Sequence, residues 1–167
     1  MKIRALVALF VLCFAGIAAA ANVDFKPFVH GSWKAILQTR AGKPMVVHFW
    51  GVTCGPCRVE MPQWGAFLKS RPDMNLIVVN ADLVPNDEVA SSRMLSEAGL
   101  QDANNWMFDQ RIVERLRNEV DPAWQGEIPL TLLIASDGKI TKIEGTADLK
   151  IVANWLDEQK TATGAKQ

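Results

Sequence analysis

Two kinds of block alternate along this chain: short runs of consecutive apolar residues, and longer stretches in which apolar residues recur every three or four positions. Met45-Val46-Val47-His48-Phe49-Trp50 and Leu76-Ile77-Val78-Val79-Asn80 are of the first kind, nearly unbroken and rich in β-branched side chains. A half-exposed strand would alternate polar with apolar, so these runs predict strands covered on both faces. Leu130 to Ile134 is a third, and Ser136-Asp137-Gly138-Lys139 after it predicts a turn into a partner strand over Ile140 to Glu144. Helical spacing marks the segments between. Trp33, Ile36 and Leu37 follow a capping Ser32 and stop at Gly42 and Pro44. Val59, Trp64, Phe67 and Leu68 supply a core face from about Cys54 to Ser70, in a helix that Pro62 is expected to kink. Asp87 to Ala98 predicts a helix closed by Gly99, Gln110 to Val120 another ahead of Pro122, and Ala147 to Gln159 a last one with Ile151, Val152, Trp155 and Leu156 inward. Trp106 to Phe108 suits a short strand, and Asn22 to Val29, broken by Pro27, fits either an edge strand or a lead-in. Strands that alternate with helices and finish as hairpin plus helix predict an α/β fold with a central mixed sheet flanked by helices.

A chain of 167 residues suits one such domain. With 49% apolar and 22% charged residues it is neither a disordered chain nor a multi-span membrane protein. Eighteen Lys and Arg balance eighteen Asp and Glu, with no block of five or six like charges, so nucleic acid is not an expected partner. The N-terminus has its own plan: Lys2 and Arg4, an apolar run from Ala5 to about Ile17, then four alanines, Ala18 to Ala21. That is the order of a secretory signal, expected over residues 1–21, with the domain over 22–160 and a flexible tail over 161–167. The run falls short of the roughly 20 apolar residues of a membrane span, which leaves an uncleaved anchor as the second reading. Phe10-Val11-Leu12 puts no small residue before Cys13, against a lipoprotein site. Cleavage would remove Lys2, Arg4 and Cys13, leaving sixteen basic against eighteen acidic side chains, net about −2. Cys54 and Cys57 would then be the two thiols of a protein in a compartment where disulfides form.

Those two cysteines frame Cys54-Gly55-Pro56-Cys57, between a predicted buried strand and the start of a helix. A sulfur at a helix N-terminus meets unpaired backbone N–H groups and the positive end of the helix dipole, which favour its thiolate, the nucleophilic form. Two intervening residues let the second sulfur reach the first, so a mixed disulfide with a substrate can be resolved internally. Pro56 fixes φ in the first turn without giving up a needed donor. A zinc site would need two more ligands, for which His30 and His48 are the candidates, with no second C-x-x-C present. A purely structural bridge would close too small a loop to remove much unfolded-state entropy. Met45, Met61, Met74, Met94 and Met107 show no clustered metal-binding spacing, and packing is the default for them and for the six tryptophans. No GxGxxG loop is present, so no nicotinamide cofactor is expected.

The segment from Phe49 to Pro62, with Cys57-Arg58-Val59-Glu60-Met61-Pro62 after the cysteines, resembles the active-site segment of the thioredoxin superfamily. More narrowly, with the signal sequence and the Ile128-Pro129 step into the third apolar run, it is similar to the TlpA/ResA/CcmG branch of exported thiol–disulfide oxidoreductases. The resemblance implies a thioredoxin-like fold, a cis peptide bond before Pro129 beside the disulfide, and Ile128 facing the cysteines. The expected substrate-binding surface also includes Gly55 and Pro56; with packing the default for every tryptophan, Trp50 is the one nearest the site's border and Trp124, just before the Ile128-Pro129 step, is the candidate for a substrate-facing loop. The resemblance places Glu60, one turn after Cys57, close to the cysteines, where it would influence their proton transfer. His48 departs from the pattern, standing where many relatives keep a buried acid; it is either a core histidine with one hydrogen bond or a base near Cys57. Thr53 departs as well, where many relatives have tryptophan. The branch further implies a periplasmic, monomeric reductase of protein disulfides, with electrons from a membrane thiol carrier of DsbD/CcdA type. Its substrates would be apocytochrome c or copper-site assembly proteins. A disulfide-donating oxidase or isomerase is the first alternative, and a copper chaperone using the two thiols and a histidine is the second.

Overall fold

The computed structural model describes residues 23–39, 42–82 and 87–164. The expected signal, Cys13 and the Pro85-Asn86 break fall outside them. In chain order the elements are β1 (Lys26–Phe28), α1 (Ser32–Thr39), β2 (Met45–Trp50), α2 (Gly55–Ser70), β3 (Leu76–Asn80), α3 (Glu88–Ala98), β4 (Asn104–Phe108), α4 (Val113–Val120), β5 (Leu130–Ile134), β6 (Ile140–Glu144) and α5 (Leu149–Gly164).

The six strands form one mixed sheet in the order β1-β4-β3-β2-β5-β6. β1, β4, β3 and β2 run parallel to one another, β5 runs antiparallel to β2, and β6 antiparallel to β5. The three unbroken apolar runs are its centre, and every residue of β2, β3 and β5 is buried. Because side chains alternate along a strand, β2 sends Val46, His48 and Trp50 to one face and Met45, Val47 and Phe49 to the other. Each face carries its own core. On the first, α2, α3 and α5 cover the sheet through Met61, Trp64, Leu95, Val152 and Leu156. On the second, α1 and α4 do so through Trp33, Ile36, Val113 and Leu116. Of the expected segment from Asn22 to Val29, Lys26–Phe28 forms an edge strand that pairs with β4.

Several local expectations change on contact with the fold. Val59 is 69% exposed, and the buried face of α2 is instead Cys57, Glu60, Met61, Trp64 and Gly65. Ile151 is outward as well, leaving Val152 and Leu156 as the core residues of α5. That helix runs on to Gly164, past Gln159, so residues 161–164 of the expected tail are helical. Ser32 does not cap α1 from within: its Oγ accepts from Val29 N–H, and the N–H of Gly31 goes to the Glu119 carboxylate of α4. Partial burial pushes the Glu119 carboxyl up, but hydrogen bonds from His30 and Gly31 and the nearby Arg115 charge outweigh it and hold the carboxyl below its ordinary range. Glu119 thereby ties α4 to the start of α1.

The end of α3 follows the sequence closely. Asp87 caps it by accepting from Ala90 N–H, and Gly99 closes it at φ +72°, left-handed backbone in which a side chain would be strained. α2 and α3 pack so tightly that a Cβ on Gly65 would lie 1.6 Å from the Ala98 carbonyl oxygen.

Candidate active site

β2 and β3 are adjacent and parallel, so their carboxyl ends open on the same edge of the sheet, where ligands of open α/β sheets bind. Gly51 to Thr53 leaves β2 there and delivers Cys54 as the N-cap of α2, with extended backbone at φ −81° and ψ 107°. Cys54 Sγ accepts from Cys57 N–H at 3.1 Å, and Pro56, in the first turn, has no N–H to leave unpaired. In this structure the two cysteines are joined as a disulfide. They are unequally accessible: Cys54 keeps 9% of its surface and Cys57 none. Gly55 and Pro56 are exposed beside them.

The start of β5 faces the same spot. The Ile128–Pro129 peptide bond is cis, and the Ile128 carbonyl oxygen lies 3.5 Å from Cys54 Sγ. The Ile128 backbone carbonyl therefore lies against the first cysteine. Trp50, wholly buried, packs in the same core cluster as both cysteines; it underlies the site and does not line its surface. Trp124 is a correction. It is buried against Phe49, with ring centroids 4.9 Å apart, and its indole N–H donates to the Glu127 carbonyl. It anchors the loop that leads to Ile128 from behind the sheet, because an aromatic ring beside an apolar face gains more by burial than by facing solvent.

His48 and Glu60 come together. The register puts His48 of β2 opposite Thr131 of β5, and Nδ1 lies 3.0 Å from Thr131 Oγ1. Nε2 faces Glu60 Oε1 at 3.2 Å, out of line for a hydrogen bond, with both side chains at most 2% exposed. Glu60 Oε2 accepts from Ala147 N–H ahead of α5, and Trp64 stacks over the imidazole at 4.9 Å between centroids. A carboxylate and an imidazole in a dry core, one helical turn from Cys57, can hold and pass a proton. His30 is bound to Glu119 of α4, and no three His, Cys, Asp or Glu side chains cluster for a metal among the described residues.

One residue escaped the sequence reading. Asp82, 3% exposed and just past the carboxyl end of β3, accepts from the backbone N–H and the hydroxyl of Thr53, immediately before Cys54. A Cβ on Gly51 would lie 2.8 Å from both Asp82 Cγ and Ile128 Cδ1, so the loop, the acid and the cis-proline step interlock. The available signal was position: an acid two residues beyond a fully buried strand, at the edge where the cysteines sit. Asp82 is a positioning residue. Asp82→Ala strands the Thr53 N–H and is expected to slow dithiol exchange about tenfold and to cost about 1–3 kcal/mol of stability. Asp82→Asn, which can still accept from Thr53, should restore most of both; stopped-flow exchange and thermal unfolding read them out.

A dithiol pair capping a helix at the carboxyl edge of this sheet, with a cis-proline step beside it, defines a thiol–disulfide oxidoreductase on a thioredoxin-like fold. The thioredoxin family profile matches residues 24–97. The chain is 21% identical over 126 residues to sporulation thiol-disulfide oxidoreductase A of Bacillus subtilis, covering 70% of this chain and 68% of that protein. It is 27% identical over 111 residues to thiol-disulfide oxidoreductase ResA of Halalkalibacterium halodurans, covering 64% and 56% respectively. Its fold superposes on that of a secreted Mycobacterium tuberculosis disulfide oxidoreductase with a TM-score of 0.57 at 18% identity, over 72% of this chain and 85% of the other. The chain is thus similar to the thioredoxin family over residues 24–97 and to thiol–disulfide oxidoreductases of the sporulation and ResA kind, and its fold is thioredoxin-like.

Proposed function

We propose that this protein is an exported reductase of protein disulfides in which Cys54 attacks and Cys57 resolves. The observation that carries the order of events is the unequal access of the two sulfurs: Cys54 at the surface, against the Ile128 carbonyl, and Cys57 sealed behind it. In the reduced form the Cys54 thiolate attacks a substrate disulfide, forming a mixed disulfide and releasing one substrate thiolate. The Cys57 thiolate then attacks Cys54 Sγ and releases the second. Two electrons pass to the substrate and the Cys54–Cys57 disulfide remains. A membrane thiol carrier of DsbD/CcdA type returns the two electrons. Apocytochrome c haem-site cysteines and copper-site assembly proteins are the substrates this reading names, in the periplasm. The basic, apolar and small-residue order of residues 1–21 supports export, and among the described residues no helix is long and apolar enough to cross a membrane. The direction of transfer rests on the TlpA/ResA resemblance, together with the Gly55-Pro56 pair.

The in-cell redox state tests the direction. Rapid acid quench followed by mass-tag alkylation should show Cys54 and Cys57 mostly reduced, turning oxidised when the membrane carrier is deleted. A mostly oxidised pair that ignores the carrier would establish disulfide donation instead.

We assign to the buried His48–Glu60 pair the role of taking the Cys57 proton, since Cys57 is wholly buried and Glu60 lies one helical turn after it. His48→Ala and Glu60→Gln should each slow resolution of the mixed disulfide about 10²-fold. Glu60→Gln keeps an acceptor for Ala147 N–H, so it separates proton transfer from packing. Unchanged thiol titration and exchange rate in His48→Ala would reduce His48 to a core residue.

A further inference from the structure

Six arginines lie among the described residues, and four have a carboxylate within ion-pair distance: Arg71, Arg111, Arg115 and Arg117. Arg58 and Arg93 have none, and both line the same cleft of about 220 Å³ between α2 and α3. The cleft starts at Val52, two residues before Cys54, and Arg58 directly follows Cys57, so it opens beside the disulfide. Met61 and Met94 give it an apolar floor of unbranched, adaptable side chains. Ala98, whose carbonyl packs against Gly65, also lines it. Glu97 lines it too, one turn beyond Arg93, and is paired to neither arginine.

We propose that this cleft binds an acidic, partly apolar segment of the protein substrate that flanks the cysteine under attack. Guanidinium groups recognise carboxylates by paired N–H donors, and two of them without ion-pair partners in a cleft that also carries Met61, Pro62 and Met94 match a segment in which Asp or Glu neighbours an aliphatic residue. The sign is local, because the chain has formal net charge +0 and falls to about −2 without its signal, so overall charge would not draw in an acidic peptide. The cleft selects which disulfides present themselves to Cys54, and this inference rests on the reading of the protein as an oxidoreductase of protein disulfides.

The test uses the full chain, fully reduced, and two synthetic peptides. Each carries one cysteine as a mixed disulfide with 2-thiopyridine beside a leucine; one has three flanking glutamates and the other three lysines. Attack by Cys54 on the peptide sulfur releases thiopyridone, and resolution by Cys57 frees the peptide thiol and leaves the Cys54–Cys57 disulfide. The quantity read is the ratio of the two peptides' rates, in which any change in Cys54 reactivity cancels. The glutamate peptide should react about tenfold faster, the preference should vanish at about 1 M salt, where the screening length is about 3 Å, and R58E/R93E should invert it. A ratio near one in the unmodified protein, or a glutamate preference that survives R58E/R93E, overturns the proposal while peptide thiol is still released. Release of neither peptide thiol faster than from a Cys54→Ser protein overturns the oxidoreductase reading itself.

Discussion

Cys57→Ser will attack a disulfide and fail to let go of it, whereas Cys54→Ser will not engage one at all. Both variants should lose turnover by about 10³-fold or more, since neither sulfur can do the other's work. The asymmetry follows from access. Cys54 caps α2, with its sulfur accepting the Cys57 N–H and 9% of the residue open, while Cys57 is wholly buried. A substrate sulfur reaches the first position and not the second. In Cys57→Ser the hydroxyl cannot displace Cys54 Sγ, so the mixed disulfide accumulates and runs as a covalent adduct on a non-reducing gel, released by dithiothreitol. Adduct on Cys54→Ser, or equal trapping by both variants, would reverse the assignment. The trapped adduct would also identify the natural substrate by mass spectrometry.

Gly65→Ala should be the most destabilising small substitution in the protein. A methyl group there would sit 1.6 Å from the Ala98 carbonyl oxygen and 2.8 Å from its carbon, in a contact of backbone against backbone that no rotamer change relieves. α2 and α3 would have to move apart, opening the Trp64 and Leu95 core beneath them. The expected loss is about 3 kcal/mol or more, near the upper end of overpacking effects, which is about 10 °C in melting temperature for a domain of this size. Gly55→Ala is the matched control, because a Cβ there meets nothing within 4 Å. Equal melting temperatures for the two variants would mean that α3 is free to shift relative to α2.

The central strands were legible because burial on both faces leaves a one-dimensional trace: six, five and five nearly unbroken apolar residues. The Cys54-Gly55-Pro56-Cys57 site was legible because its spacing is local. What depends on the register between strands was not. His48 pairs with Thr131, 83 residues away, and meets Glu60 only once α2 has folded back over β2. The resemblance places Glu60 near Cys57, but the imidazole it faces depends on that register, and with Glu60 turned inward Val59 faces outward. Asp82 resembles an ordinary loop acid after a strand, and its meaning lies in the two hydrogen bonds from Thr53, 29 positions earlier. Trp124 went the other way: its place before Ile128 suggested a surface, but the apolar face formed by Phe49 and Phe108 claims the ring.

Both margins of the sheet are poor templates. β1 spans three residues with Pro27, which has no N–H to offer, at its middle, and β6 is five residues, mostly exposed, with Lys142 held between Asp121 and Glu144. An exposed strand edge is a template on which any extended chain can add itself as the next layer of an aggregate. Short, proline-bearing or charged borders refuse that recruitment at both margins of this sheet, so that under the function proposed above a client chain would be left the rim where Ile128 and the cysteines stand.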